Sequence, residues 1–415
     1  MFRRRRTAFA AGLSAAAVLL AAGCGSSSAG GAAGGGTTGP ATQKITIGII
    51  ADLTGAAASP NKSVVAGVKA GTYYAARNGY TIKYVVGDTA TNPASTLALA
   101  QKFVTQDHVF AVIANSALLF TAASYLTAHN VPVIGASADG PEWITSKNMF
   151  SIWGPLQTTK VATTQGKFLK LMGVTNLADV AYSLPIASEA GEGTAVSAQV
   201  AGVKVGYLNT KVTLGSDVAP LVLAMKDAGV DGLVAQMSPD AAFAIVKGLR
   251  DQGVNLKVAL LPTGYGGDLL QAGPGALQSA QNVYFLSGYE LMEMQTPATK
   301  QFAADLKSAG TTTAPTYAMY NGYVSVGLLV AGLKAAGANP TPASLITGLG
   351  TIHKWNALGL YGSHTVDIND RENVVSGADN CQWIAKLQGS VFKAVPNATP
   401  ICGDVVPGRT VAPSS

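Results

Sequence analysis

Short apolar runs rich in β-branched residues alternate with helical stretches along most of this 415-residue chain. The first run, Ile45–Ala51, is apolar on nearly every position, which is typical of a strand covered on both faces. Strands that alternate with helices predict parallel sheets flanked by helices, so the fold class is α/β. Because the chain is longer than one hydrophobic core usually supports, we expect two lobes.

Capping residues, prolines and apolar patterns in the sequence predict where the helices and strands lie. Asn92-Pro93 and Ser59-Pro60 each combine a good N-cap residue with a proline suited to the first helical turn. The pattern predicts helices near 60–78, 93–106, 119–129, 158–172, 189–201, 218–228, 239–252 and 317–336. It predicts strands near 45–51, 81–86, 109–113, 131–134, 149–153, 178–182, 204–208, 232–235, 258–261, 282–286, 383–387 and 391–395.

The N-terminal stretch has the order of a secretory signal: the basic Arg3–Arg6 precedes an apolar run, Ala8–Leu20. That run is shorter than the ~20 residues needed to span a bilayer. The segment Leu20–Cys24 resembles the bacterial lipobox, which implies a signal peptide at 1–23, cleavage before Cys24 and a lipid on its thiol. A plain signal peptide with an incidental cysteine is the alternative. Residues 24–43 are rich in Gly, Ser and Ala, which predicts a flexible tether.

Charge and motifs restrict the function classes. The formal net charge is +6, but removing the four arginines of the signal from the 28 basic residues leaves 24 against 22 acidic ones. This balance gives no support for nucleic-acid binding. The four histidines have no metal-ligand spacing, and there is no Gly-x-Ser-x-Gly elbow. We therefore expect no metal, no cofactor and no catalysis, although an exported enzyme on an α/β scaffold stays open.

Two cysteines remain besides Cys24. An exported protein lies in an oxidising compartment, so Cys381 and Cys402 are expected to form a disulfide that closes a loop near the C-terminus. Two free thiols are the alternative.

From about 44 to 402 the chain resembles the type I periplasmic binding proteins, in particular the solute-binding lipoproteins of branched-chain amino acid ABC importers. The resemblance rests on the order and spacing of several short motifs along the chain. They are Ile45-Thr46-Ile47-Gly48, Leu53-Thr54-Gly55, Asp88 with Asn92-Pro93-Ala94, Phe110-Ala111-Val112-Ile113, Val131-Pro132-Val133-Ile134, and Tyr317 with Tyr320-Asn321-Gly322-Tyr323.

The resemblance implies two Rossmann-like lobes joined by a three-strand hinge. Lobe I would comprise 44–154 and 288–375, lobe II would comprise 155–287 and 376–402, and 403–415 would be a C-terminal tail. It also implies a ligand cleft lined by loops at the carboxyl ends of the strands. The candidate ligand contacts are Ser116, Ala117, Ser137, Ala138 and Asp139 in the first lobe, and Tyr182, Thr263 and Tyr265 in the second.

Two of these positions depart from the amino-acid binders of the family. Asp139 stands where they have a Thr that helps to hold the ligand carboxylate, and Thr263 stands where they have an acid for the ammonium group. A neutral, amide-like, cationic or hydrophobic solute therefore fits as well as an amino acid.

Each candidate contact also has a structural alternative. Asp139 would cap the segment that follows it, Tyr182 and Tyr265 would pack at strand ends, and Ser116 and Ser137 would satisfy loop backbone groups.

The expected function is that of an extracytoplasmic substrate-binding lipoprotein of an ABC importer. It would be a monomer anchored to the outer face of the cell membrane, and it would capture a small solute by hinge closure and present it to the permease subunits. A membrane-anchored sensor that passes the closed state to a signalling partner is the alternative.

Overall fold

The computed structural model describes residues 43–137, 140–272 and 275–412. The predicted signal peptide, Cys24 and nearly all of the tether lie outside the described residues. The strands are β1 Gln43–Ala51, β2 Tyr80–Asp88, β3 Ala111–Asn115, β4 Val133–Gly135, β5 Met149–Ser151, β6 Lys160–Ala162, β7 Asn176–Tyr182, β8 Lys204–Val212, β9 Gly232–Gln236, β10 Val258–Leu261, β11 Tyr284–Ser287, β12 Cys381–Gln388, β13 Val391–Ala394, β14 Ile401–Cys402 and β15 Val405–Thr410.

The helices flank these strands. They are α1 Val64–Arg77, α2 Pro93–Thr105, α3 Phe120–Ala128, α4 Glu142–Thr145, α5 Thr164–Leu171, α6 Pro185–Val200, α7 Ala219–Asp227, α8 Pro239–Asp251, α9 Gly267–Gln271, α10 Ala276–Ser279, α11 Pro297–Ser308, α12 Tyr317–Ala336 and α13 Pro342–Leu349. The α/β class predicted from the sequence is confirmed.

The strands form two large sheets. The first is parallel, in the order β2-β1-β3-β4-β5. The second has the order β13-β12-β11-β10-β9-β7-β8, with β14 paired to β12. Its strands β7 to β11 are parallel, whereas β12 runs antiparallel to β11 and to β13. Within the described residues, the chain passes between the two sheets after β5, after β11 and before β12.

Helix α12 is buried on nearly every side, as its apolar sequence between Val324 and Ala336 predicts. It packs against α1 at very short range, because both helices have glycine at the contact. A Cβ atom on Gly67 would lie 2.1 Å from the Met319 carbonyl oxygen, and one on Gly322 would lie 2.4 Å from the Val64 carbonyl oxygen. No helix in the described parts of the chain is long and apolar enough to cross a membrane.

Helix starts were predicted with mixed success. The Asn92 side chain accepts a hydrogen bond from the Ser95 N–H at 3.0 Å and caps α2, as predicted. The Ser59-Pro60 start of α1 is wrong, because α1 begins at Val64. The Asn61 side chain donates to the Ala57 carbonyl at 2.8 Å and holds the preceding residues in turns.

A third, small sheet was not predicted. Strand β6 lies inside the predicted helix 158–172, and β15 lies inside the predicted C-terminal tail; the two pair in antiparallel fashion. The pairing is extended by a bond from the Val411 N–H to the Thr159 carbonyl at 2.8 Å. Residues 160–162 are therefore extended because a strand more than 240 residues later along the chain pairs with them.

The predicted disulfide is present. Cys381 in β12 is bonded to Cys402 in β14, and the two residues face each other across these paired strands. His364 lies within 3.5 Å of the Cys381 sulfur. Because both sulfurs are in the disulfide, neither is a thiolate that could bind a metal with His364.

Candidate functional site: a cavity between the two sheets

A cavity of about 210 Å³ lies where the carboxyl ends of the two sheets meet. We call it the cleft cavity. In α/β proteins this edge of the sheet is where ligands bind. The lining from the first sheet follows β1, β3, β4 and β5, and consists of Ala57, Pro60, Asn61, Ala117, Ser137 and Trp153. The second sheet and its flanking helices supply Tyr182, Leu184, Ile186, Ala187, Ala190, Leu214, Gln236, Met237, Ser238, Pro262 and Thr263, and Tyr317 at the start of α12 completes the wall.

Four of the candidate contacts named from the sequence line this cavity: Ala117, Ser137, Tyr182 and Thr263. Their polar atoms have partners within the protein. The Tyr182 hydroxyl lies 2.7 Å from the Ser238 hydroxyl, and the Thr263 hydroxyl donates to the Met237 carbonyl at 2.9 Å. Tyr182 and Thr263 therefore present mainly their carbon atoms to the cavity.

Two other candidates do not line the cleft cavity. The Tyr265 hydroxyl donates to the Glu293 carboxylate and accepts a bond from the Met292 N–H at 2.9 Å, and its ring packs against Phe392. Ser116 is buried, and its hydroxyl is engaged by Asp52. Ala138 and Asp139 lie outside the described residues.

Asp52, at the end of β1, accepts hydrogen bonds from several donors of the first-sheet loops. Its Oδ1 accepts bonds from the Ser116 hydroxyl at 2.7 Å and from the Thr89 hydroxyl. Its Oδ2 accepts from the Ala117 N–H at 2.7 Å and from the Asn61 amide at 3.3 Å. Burial raises the pKa of the Asp52 carboxyl, and the bonds from these donors oppose that rise. Since a carboxylate of the protein occupies these donors, they are not free to hold an acidic ligand.

Side-chain amides extend this network across the first sheet. The Asn115 amide donates to Asn61 Oδ1 at 2.5 Å, and the Asn321 amide donates to Asn115 Oδ1 at 3.2 Å. The Tyr289 hydroxyl donates to Asn321 Oδ1 at 3.1 Å, and Trp153 Nε1 donates to the Tyr289 hydroxyl at 3.0 Å. Asn61 and Trp153, at the two ends of this amide chain, both line the cavity, so the network fixes two parts of its wall.

The described part of the cleft cavity's wall carries no charged side chain. Among its described lining residues there is no Asp, Glu, Lys, Arg or His. Its most extended apolar surfaces are the rings of Trp153 and Tyr317, whose centroids lie 5.7 Å apart with the planes tilted by 45°. Such a surface favours a flat, apolar body over an ionised group, because an unpaired buried charge costs far more than a buried ring.

Several wall residues were missed by sequence reasoning, above all Trp153, Tyr317 and Gln236. Trp153 follows β5 and Gln236 ends β9, so both occupy carboxyl ends of parallel strands, the same signal that identified Ser137 and Tyr182. Tyr317 begins α12, where the Asp268 carboxylate accepts a bond from its N–H at 2.7 Å. Burial raises the pKa of Asp268 to about 7.

Comparison with known proteins agrees with this architecture. A family model for periplasmic binding proteins matches residues 44–390. No curated protein sequence matches the chain.

Several solved structures are similar in fold. A solute-binding protein of an ABC transporter from R. palustris, in complex with 4-hydroxybenzoate, has 18% identity and a TM-score of 0.69, with 90% of this chain and 98% of that chain covered. A leucine-binding protein from Thermotoga maritima has 14% identity and a TM-score of 0.71, with 86% and 99% covered.

A branched-chain amino acid transporter substrate-binding protein from Streptococcus pneumoniae, in complex with isoleucine, has 17% identity and a TM-score of 0.68, with 88% of this chain and 99% of that chain covered. These likenesses and the family match confirm the resemblance predicted from the sequence. The chain therefore belongs to the periplasmic binding protein family, whose members are extracytoplasmic solute-binding proteins of transporters and not enzymes.

Proposed function

We propose that the protein is the solute-binding lipoprotein of an ABC importer, and that its cleft cavity holds a neutral solute with an aromatic or other flat apolar body. The two lobes, 44–154 with 288–375 and 155–287 with 376–402, would close on the solute by bending at the three crossings, and the closed form would engage the permease subunits. The observation that carries the choice of solute is the absence of charged side chains among the described wall residues, together with the engagement of the first-sheet donors by Asp52.

The ring systems of the wall support an aromatic solute. Trp153 and Tyr317 offer ring faces and edges, and Tyr182 offers a ring whose hydroxyl already has a partner. The R. palustris protein was crystallised with 4-hydroxybenzoate, so a cavity of this fold accommodates a single aromatic ring. For the present protein we propose a solute that has an aromatic ring but no carboxylate. Ala117 and Ser137 would line the first-sheet side, and Tyr182 and Thr263 the second.

The remaining candidate contacts enter the proposal differently. Ser116 would act through Asp52, and Tyr265 would support the second-sheet wall by packing. Ala138 follows directly after Ser137 and would complete the first-sheet side, whereas Asp139 would cap the segment that follows it and leave the wall uncharged.

The test is calorimetric titration of the full chain in detergent with benzamide, benzoate, benzylammonium and leucine. We expect benzamide to bind at least about tenfold more tightly than benzoate, since each tenfold corresponds to about 1.4 kcal/mol and a buried unpaired carboxylate costs more than that. Tighter binding of benzoate or leucine would refute the neutral-solute proposal. Preference for benzylammonium would indicate that an acidic group, with Asp139 the first candidate, faces the ligand.

A matched variant ties binding to the cleft cavity. Ala187 on α6 lines it and is half-buried, so Ala187→Leu would fill part of the space without breaking a hydrogen bond. Gln199→Leu on the same helix lies on the exposed face and is the control. We expect benzamide binding to weaken in Ala187→Leu only; equal weakening in both variants would place the ligand elsewhere.

The lipid anchor is a separate part of the proposal. It rests on the order of basic segment, apolar segment and small residues before Cys24. Mass spectrometry of the N-terminal peptide should find a diacylglycerol-modified Cys24, and Cys24→Ser should leave an uncleaved precursor. A wild-type N-terminus cleaved elsewhere, without lipid, would refute the anchor.

A further inference from the structure

A second and larger cavity, of about 260 Å³, lies beside the cleft cavity. We call it the rear chamber. The two spaces share six wall residues, namely Trp153, Ile186, Ala190, Gln236, Pro262 and Tyr317. The rear chamber reaches from this shared wall to the three segments in which the chain passes between the sheets. Thr158, Gly288 and Ser376 line it, one from each segment.

The wall of the rear chamber carries a short polar strip made of Gln165, Thr194 and Gln236, of which Gln236 also lines the cleft cavity. The Thr194 hydroxyl donates to Gln165 Oε1 at 2.6 Å, and Gln236 Nε2 lies 3.5 Å from the Thr194 hydroxyl oxygen. Within the described part of the chain, Gln165 Nε2 and Gln236 Oε1 have no hydrogen-bond partner, and neither is among the fully buried atoms. The strip thus offers the free amide nitrogen of Gln165 as a donor group and the free amide oxygen of Gln236 as an acceptor to a group that enters the chamber.

Most polar side chains of the rear chamber's described lining already have hydrogen-bond partners within the protein. Lys160 is the one ionised side chain that lines it, and its Nζ donates to the Glu372 carbonyl. The Thr158 hydroxyl donates to the Glu189 carboxylate, and the Thr164 hydroxyl donates to the Asn380 carbonyl at 2.8 Å. An uncharged group that both donates and accepts a hydrogen bond matches this lining, and an amide has that chemistry.

We propose that the rear chamber is a second compartment of the binding site, and that it takes an amide-bearing extension of a solute whose apolar body lies in the cleft cavity. This inference rests on the function proposed above. The amide N–H would donate to Gln236 Oε1, and the amide carbonyl would accept from Gln165 Nε2. The solute is then longer than a single amino acid or a single benzene ring, and its two parts meet at Trp153 and Tyr317.

A substitution at Gly193 tests whether the rear chamber takes part in binding. Gly193 lies on α6 and lines the rear chamber but not the cleft cavity, and a Cβ atom built on it would meet no atom within 4 Å. The Cβ of Gly193→Leu would therefore meet no neighbour and its side chain would extend into the chamber, and leucine also has the higher helix propensity. Ala187→Leu blocks the cleft cavity and Gln199→Leu lies on the surface, so the same substitution at three positions of one helix compares the two spaces with a control.

The probes are benzamide and N-benzoylglycinamide, which has the same benzoyl head and one further amide. The full chain in detergent is titrated with each probe, and binding is monitored by Trp fluorescence and by calorimetry. We expect N-benzoylglycinamide to bind about tenfold more tightly than benzamide, because it adds one to two neutral hydrogen bonds. Gly193→Leu should abolish this advantage and leave benzamide binding unchanged. Ala187→Leu should weaken both probes, and Gln199→Leu neither.

The outcomes separate this inference from the function on which it rests. If benzamide binds but the longer probe gains nothing, or if Gly193→Leu preserves the gain, the rear chamber is not a compartment of the site while the proposed function stands. If neither probe binds the wild-type chain, the proposed neutral aromatic solute is wrong and the inference falls with it. Loss of benzamide binding in Gly193→Leu would also overturn it, because the two spaces would then not be separate compartments.

Discussion

Trp153 Nε1 donates a hydrogen bond to the Tyr289 hydroxyl at 3.0 Å. These residues follow β5 and β11, so the bond joins two of the segments in which the chain passes between its sheets. The Tyr289 ring is stacked between Tyr320 and Tyr361, with centroids 5.1 and 5.6 Å away. Because both faces of the ring are covered, the hydroxyl has a fixed position, and the indole that lines both cavities is fixed with it.

Tyr289→Phe should test how far this bond holds the wall. The substitution keeps the stacked ring but leaves Trp153 Nε1 and Asn321 Oδ1 without their partner, which should lower the free energy of unfolding by about 1–3 kcal/mol. Urea unfolding followed by Trp fluorescence measures it. Tyr320→Phe is the matched control, since its hydroxyl bonds to the Glu290 carbonyl at 3.3 Å and to Tyr265 and has no bond to Trp153 among the described residues. An equal loss in both variants would contradict the assigned role of Tyr289.

Asp52→Asn should destabilise the first-sheet loops. An amide cannot accept from all four donors that now converge on the carboxylate, so buried donors are left unpaired, and we expect a loss of about 2–3 kcal/mol. Thr89→Val removes only one of the four donors and should cost about 1 kcal/mol. Chemical unfolding of both variants at pH 7 measures the difference. If Asp52→Asn were as stable as the wild type, the carboxylate would not be the common acceptor.

Glu142 should make stability depend on pH. Its carboxyl is buried in α4 and its Oε2 has no partner within the described residues, and burial raises its pKa from 4.5 to about 7. Between pH 4.5 and 7 the native state therefore binds more protons than the unfolded state. The free energy of unfolding then falls as pH rises through this range, by up to about 3 kcal/mol from this group. Asp268, whose pKa is also about 7, acts in the same direction.

Glu142→Gln isolates the contribution of Glu142. We expect the variant to match the wild type near pH 4.5 and to be the more stable of the two above pH 7. Urea unfolding at half-unit pH steps measures the difference between the two proteins. A difference that stays constant across the range would show that Glu142 titrates alike in the folded and unfolded states.

The Cys381–Cys402 disulfide should stabilise the end of the second sheet. It closes a loop with a sequence separation of 21, for which the chain-entropy model gives about 3 kcal/mol. The double variant Cys381→Ser/Cys402→Ser should lose about that amount in urea unfolding. Wild-type protein unfolded in the presence of dithiothreitol should lose the same amount, and a reductant effect in the double variant itself would show that the loss has another source.

Elements with a strong local pattern were predictable from the sequence. The strand Val258–Leu261 and the helix Tyr317–Ala336 have the predicted bounds, because continuous apolar runs with a clear start and end decide them locally. The start of α1 was not predictable, since it depends on how the Asn61 side chain bonds to Ala57 and Asp52. The pairing of β6 with β15 depends on residues far apart in the chain. The sequence pattern of either segment alone does not indicate such a pairing.

The resemblance to the family directed attention to Ala117, Ser137, Tyr182 and Thr263, and all four line the cleft cavity. Their contact with a ligand stays a prediction. The role of Asp52 could not be foreseen, because its donor Ala117 lies 65 positions away and the convergence exists only in the fold. The rear chamber lies beyond sequence reasoning for the same reason, since three separate crossing segments enclose it.

The small β6–β15 sheet determines where the last described strand lies. Gln43 begins β1 in the first sheet, whereas β15 is held through β6 and through the bond between the Thr163 N–H and the Asp404 carbonyl, next to the disulfide of the second sheet. The first and last strands of the described chain therefore belong to different sheets. A donor dye on Gln43 and an acceptor dye on Thr410 would convert any movement of one sheet against the other into a change in energy transfer, so these two positions suit an optical sensor of ligand binding.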